Sequence, residues 1–407
     1  MRNLFKILIL VLFTLSFGQQ IEWIQSYGGT GNEYGESGQK TLDDGYIVLG
    51  QTSSQSEEYN DILLIKIDID GNEEWSKTFS FGSDEYGYSV QQTLDDGYIL
   101  TGGVWNQGSF VLKTDSNGDE EWRQIFHEDN GYGGDGYSIQ QTLDGGYILT
   151  GNSGSFSNPY IYLLKINSEG QEEWVRYFGE GDNELGFFVF NISMKQTFDG
   201  GYILLTTKDT TGGLGSGGYD VFLLKLDSEG NEQWNKTFGV DDQNEIGRSI
   251  QQTTDNGYVF TGQYSNGHIW LVKTDQDGNE LWSHSDYTDD DYTDYSTGNY
   301  VHKTEDDGYI LSGTKNIFDL LVIKTDLNGN EEWTLTHNIG SNGVIEGNVV
   351  QPLADGEYIV IGTEWFLFGD RDVVLVKINS DENLDNNTIE PSIYSLNKPY
   401  PNPFNPT

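Results

Sequence analysis

An all-β fold, a seven-bladed β-propeller of four-stranded antiparallel blades, is predicted by three observations. A unit of about 50 residues recurs seven times along the chain. Each unit holds four short runs bounded by Gly, Asn and Asp turn signals. The first and last units are cut in complementary places. The recurrence is carried by Gly-Tyr, usually inside Asp-Gly-Tyr-Ile-Leu-x-Gly, at Tyr46, Tyr98, Tyr147, Tyr202, Tyr258 and Tyr309. A seventh copy places Tyr358 after Asp355-Gly356-Glu357.

In the second unit the runs are Tyr88 to Thr93, Tyr98 to Thr101, Phe110 to Thr114 and Glu121 to Ile125, which predict strands A to D of one blade. Leu94-Asp95-Asp96-Gly97 joins A to B as a tight hairpin in which Gly97 is expected to take a positive φ. Asp115 to Asp119 joins C to D with the same chemistry. Strand D carries Trp23, Trp75, Trp122, Trp174, Trp234, Trp282 or Trp333 at one place, and strand C carries Lys66, Lys113, Lys165, Lys225, Lys273, Lys324 or Lys377. Lys66 and Trp75 are expected on one face of adjacent strands, the ammonium near the ring or near Glu73.

Ring closure follows from the cut ends. Ile21 to Gly28 reads as a strand D with no A to C before it, and Val373 to Ile378 reads as a strand C that never reaches its Trp strand. Residues 21 to 27 should therefore complete the seventh blade. An open repeat array, the alternative, would leave sheet edges exposed at both ends.

The formal net charge of -44 repels phosphate backbones, so nucleic acid is not an expected partner. Cysteine is absent, leaving core burial and bound ions to stabilise the fold. Arg2 and Lys6 precede the apolar run Ile7 to Phe13, and Ser16 and Gly18 are small, as at a signal-peptidase site. The run is short for a bilayer span, so residues 1–18 are expected to be a cleaved signal peptide and Gln19 the mature start, a membrane anchor being the alternative. Residues 19–384 are assigned to the propeller and 385–399 to a linker. The chain is expected to be monomeric.

Strand order places the D-to-A and B-to-C connections on one face. The B-to-C segments differ from unit to unit, which makes that face the candidate binding surface. Its aromatic residues Tyr59, Trp105, Phe156, Tyr160, Tyr264, Phe318, Trp365, Phe366 and Phe368 could offer flat platforms to a sugar ring, or pack between blades instead. An acid two places before a Gly opens strand A at Glu33, Glu85, Glu184 and Glu245. These carboxylates either form a partial ring around the channel mouth, where Ca²⁺ or another cation would compensate their charge, or accept N–H bonds from their own loops. Asp286, Asp289, Asp290, Asp291 and Asp294 crowd one connection of the sixth blade, the strongest local cation-site expectation.

No nucleophile elbow is present and the five His have no ligand spacing, so no catalytic residue is assigned. Glu85 and Glu184 could serve as a glycosidase pair, a signal of little specificity among 65 acids. The chain is expected to bind a polysaccharide or protein outside the cell rather than to catalyse. A carboxylate-based hydrolase or lyase and a structural module of a larger surface protein are the rivals.

The last eight residues, Tyr400-Pro401-Asn402-Pro403-Phe404-Asn405-Pro406-Thr407, resemble the opening of the C-terminal sorting domain carried by cargo of the bacterial type IX secretion system. That resemblance implies a small β-sandwich, here cut at its start, export through the periplasm to the outer surface or medium, and the type IX machinery as a partner. The repeats likewise resemble secreted bacterial propeller proteins.

Overall fold

A computed structural model describes residues 19–54, 59–126, 134–155, 158–179, 192–209, 218–240, 243–265, 267–285, 295–340, 343–366 and 369–379. They form seven four-stranded antiparallel sheets arranged around one axis, six of them meanders of consecutive strands and the seventh completed by the N-terminal strand. Blade 1 comprises strands A (Glu33–Lys40), B (Tyr46–Thr52), C (Asp61–Ile67) and D (Glu73–Phe79). Every residue of its B and C strands is buried, because these strands lie between the faces of neighbouring blades. Ile47, Leu49 and Leu64 of blade 1 pack with Val90, Leu100 and Leu112 of blade 2 in one cluster. Strand D forms the outer edge and is largely polar, which blunts its unpaired backbone. Among the described residues no helix is long and apolar enough to cross a membrane.

The ring closes where the sequence predicts. Gln20–Tyr27 pairs with Arg371–Asn379 as strand D of blade 7, with Trp23 opposite Lys377 and Gln25 opposite Leu375. Lys377 Nζ lies 2.9 Å from Glu22 and 3.2 Å from Glu357, clasping the N-terminal strand to the last blade. Tyr27 donates its hydroxyl to the Gly71 carbonyl at 2.7 Å, tying the seam to blade 1.

Inner strands are stitched to one another by their own side chains. Ser37 accepts the Val90 N–H, Ser89 that of Ile139, Ser193 that of Ile250 and Ser249 that of Val301, each at 3.3 Å. Gln91 and Gln140 accept N–H groups of the following blade at 2.6 and 2.9 Å. These bonds satisfy backbone donors that would otherwise face the axis.

The strand C lysines are scaffold, in a geometry slightly different from the expected one. Lys66 does sit opposite Trp75, but a bulge turns Glu74 rather than Glu73 toward it. Its buried Nζ lies 2.9 Å from Asp43 and 2.9 Å from Glu74. Six blades repeat the Lys–Asp pair, through Lys113–Asp95, Lys165–Asp144, Lys225–Asp199, Lys273–Asp255 and Lys324–Asp306 in the others. The A–B hairpin also needs its glycine for another reason than the expected one. Asp96, not Gly97, takes the positive φ of 64°. A Cβ on Gly97 would lie 2.2 Å from the Thr114 carbonyl oxygen, so the glycine provides space. In the C–D hairpin Gly118 does adopt φ +76°, and the Trp75 ring of the preceding blade packs against it.

Candidate functional site

Six inner strands carry a β-bulge at one shared position, just after the glycine near the start of strand A. A bulge leaves one residue outside the pairing ladder and re-aims its side chain. The bulge residues are Glu36, Tyr88, Tyr137, Arg248, Asn299 and Asn348, and all six line a single axial cavity of about 350 Å³. In blade 4 Ile192, directly before Ser193, lines the same cavity.

The belt is chemically uneven. The rings of Tyr88 and Tyr137 stand 5.1 Å apart. The Tyr137 hydroxyl donates to Asp135 at 3.4 Å, and burial pushes that carboxyl up to about 6 against the hydroxyl's opposing pull. Glu36 accepts from Gln51 Nε2 at 3.3 Å. Its carboxyl is raised by burial, with Gln51 opposing, Glu346 adding and Arg371 opposing. Asn299 and Asn348 donate to the Gly347 and Gly35 carbonyls of their neighbours at 3.2 and 2.8 Å. Arg248 differs from them: its Nε is buried with no hydrogen-bond partner among the described residues. Burial pulls its proton affinity down, Tyr295 and Glu346 pull it up, and a guanidinium stays charged throughout. Farther along the axis the wall includes Lys195 and His302. The His302 Nδ1–H donates to the Lys303 carbonyl at 2.7 Å, and burial lowers that imidazole below its usual range.

Among the described residues the expected aromatic platforms fall into three groups, Phe318 joining the exposed one. Trp105 is 62 % exposed at a tight turn, Tyr59 is 43 % exposed and Phe366 is 48 % exposed. Tyr160 packs edge-on against Tyr177, and Tyr264 against Trp270, each with centroids 5.3 Å apart, so these two serve packing between strands. Trp365 is half-buried: the Arg371 guanidinium lies 5.0 Å from its ring and 5.0 Å from that of Tyr34. Phe156 and Phe368 lie outside the described residues. Tyr59 and Trp105 belong to neighbouring blades and flank one loop. Asp84 accepts the Asn60 N–H through Oδ1 at 3.1 Å and the Trp105 N–H through its carbonyl at 2.9 Å, while Ser83 Oγ donates to the Trp105 carbonyl at 3.2 Å.

Glu33, Glu85 and Glu245 do not line the axial cavity. They are buried under their D-to-A loops and accept backbone N–H groups there, which is the second of the two expected geometries. Gly29 donates to Glu33 at 2.8 Å, Phe81 and Ser83 to Glu85 at 3.1 and 2.9 Å, and Val240 to Glu245 at 3.2 Å. Glu85 and Glu245 each keep one oxygen without a hydrogen-bond partner among the described residues. Burial raises both carboxyls over the opposing N–H bonds, with Asp61 and Asp84 adding at the first and Asp220 at the second. At Glu33 the Thr52 hydroxyl fills the corresponding place at 2.7 Å. Among the described residues no group of three His, Asp or Glu is placed to hold a metal ion. Glu184, Asp286, Asp289, Asp290, Asp291 and Asp294 lie outside them.

Arg248 and its belt were missed in the sequence, although a signal exists. Within the Gly-x-Ser that opens strand A in four units, the middle residue is Glu36, Tyr88, Tyr137 or Arg248, a varying position inside a repeated frame.

No family model and no curated protein sequence matches the chain. Solved structures do. A protein of unknown function from Dyadobacter fermentans is similar with TM-score 0.55 and 10 % identity, over 89 % of this chain and 99 % of that one. The polysaccharide lyase Uly1 is similar with TM-score 0.58 and 11 % identity, over 89 % and 100 %. Sqt1 from Chaetomium thermophilum is similar with TM-score 0.51 and 12 % identity, over 87 % and 86 %. What they share with this chain is the fold. Their differing descriptions leave its function to be argued from its own residues.

Proposed function

We propose that the chain is an exported glycan-binding propeller that holds an extracellular polysaccharide on its loop face. One observation carries this reading: the exposed rings of Trp105 and Tyr59 stand on either side of a loop pinned by Ser83 and Asp84. A flat aromatic face suits the apolar face of a pyranose, and the neighbouring hydroxyl and carboxylate suit its hydroxyl groups. Export rests on the leader at residues 1–18, and the type IX route on residues 400–407.

The test is retention of the purified chain on a panel of immobilised polysaccharides, with the eluates assayed for cleavage products. Retention without cleavage is expected. Trp105→Ala should weaken it about tenfold or more, as loss of a hot-spot aromatic does, and Phe366→Ala on blade 7 should leave it unchanged. Released oligosaccharides would establish the hydrolase or lyase reading instead. Retention that survives Trp105→Ala would overturn the assignment to this patch.

Calcium enters the same reading at the Glu85 and Glu245 oxygens that have no hydrogen-bond partner among the described residues. Calcium chloride should raise the melting temperature of the chain, and Glu245→Gln should reduce the rise. An unchanged melting temperature removes the ion from the account.

A further inference from the structure

We propose that the axial cavity is a second binding site, for a small sugar acid with one carboxylate and several hydroxyls. The site goes beyond the loop-face reading and uses none of its residues. It rests first on Arg248. The position is not structural in kind, because the same bulge carries Glu36, Tyr88, Tyr137 or Asn299 in other blades with the pairing unchanged. The arginine is nevertheless held with a buried Nε that no described group accepts from. A guanidinium offers a planar fork of donors that matches a carboxylate with two parallel bonds.

The surroundings specify the rest of the ligand. The chain has 65 acids and 21 basic residues, and its strand C lysines are each paired with carboxylates. Arg248 and Lys195, on the adjacent blades 5 and 4, nevertheless both line the cavity. Placing two cations on one wall of so acidic a molecule favours an anion there over the bulk surface. Next to Lys195, on blades 3 and 2, stand the paired rings of Tyr137 and Tyr88. Glu36 on blade 1, opposite the two cations, is the one acid among the described lining residues, and the remaining wall is mostly serine, glutamine and asparagine, donors and acceptors suited to hydroxyl groups. A cavity of about 350 Å³ falls in the range of small-molecule sites.

Isothermal titration of the full chain with galacturonate, and with galactose as its uncharged counterpart, tests the assignment. Galacturonate should bind at one site, at least tenfold more tightly than galactose. Arg248→Gln should remove at least that tenfold preference, and Lys195→Gln should reduce it severalfold, with both variants keeping the parental melting temperature. Should Arg248→Gln fail to fold, Lys195→Gln decides alone. Trp105→Ala should leave galacturonate binding intact while weakening polysaccharide retention about tenfold or more, so that the two sites can fail separately. Equal affinity for the two sugars, no galacturonate heat at millimolar concentration, or binding unchanged in both cavity variants would overturn the proposal.

Discussion

At the hairpin end of six blades a buried lysine is answered within its own blade by the same aspartate, whereas at the bulge of six blades the side chain presented to the axis varies among Glu, Tyr, Arg and Asn. Backbone geometry is equally regular in both places. What differs is whether the side chain closes its interactions inside the repeat. Where it does, every copy needs the same residue; where the residue faces the shared cavity, composition is free to drift and to specialise. Regular geometry with irregular chemistry is thus the place to look for function in a repeat fold.

Four measurements would break or sharpen that contrast. Lys113→Ala should cost about 2–3 kcal/mol in urea denaturation, because it strips two carboxylates and the Thr114 carbonyl of a buried partner whose acids are themselves partly solvated. Gly97→Ala should cost about 1–2 kcal/mol, since its new methyl must displace the Thr114 carbonyl. A cost near zero in either would show that the hairpin end tolerates variation after all.

The third measurement is pH dependence, which should carry opposite signs in the two regions. Asp144 is held at about 2, first by the Thr142 hydroxyl, and Asp199 at about 2 by Thr197 and Lys225 over the opposing cost of burial. Both lie below the usual 3.8, so their stabilisation is full above about pH 4 and is lost as pH falls toward 2. Asp135, raised by burial to about 6, favours the fold while protonated and loses that contribution as pH rises through about 6. The melting temperature of Asp135→Asn should therefore match the parent near pH 4 and exceed it at pH 7; a difference that shrinks with rising pH contradicts the assignment. Smallest of all, Arg248→Gln should change unfolding free energy by no more than about 0.5 kcal/mol, since its buried Nε has no hydrogen-bond partner among the described residues.

Blade number, strand order and the closing strand were legible because each depends on local pattern: Tyr98 marks a hairpin, Trp122 an outer strand, and Trp23 a strand D lacking its predecessors. The loop face was legible in the same way, from irregular segments such as the one holding Trp105. The axial belt was not, because nothing in Gly87-Tyr88-Ser89 says that Tyr88 drops out of the ladder. Period-two alternation shifts by one at a bulge, and the shift appears only when the partner strand is in place. Trp365 was left open between platform and packing for a related reason. Its cover, Arg371, arrives on the following strand, so the ring looked available. Glu85 and Glu245 were read as two-sided, and the N–H groups of Phe81, Ser83 and Val240 that they accept are placed by the folded D-to-A loops.

Gln20 pairs with Asn379, so the chain enters and leaves the ring side by side at the end occupied by the constant hairpins. Whatever adjoins either residue is moored at that underside. A tether there, of any length, would turn the Trp105 rim outward to the surroundings, and tension on it would pull first at the Lys377 clasp rather than at the cavity.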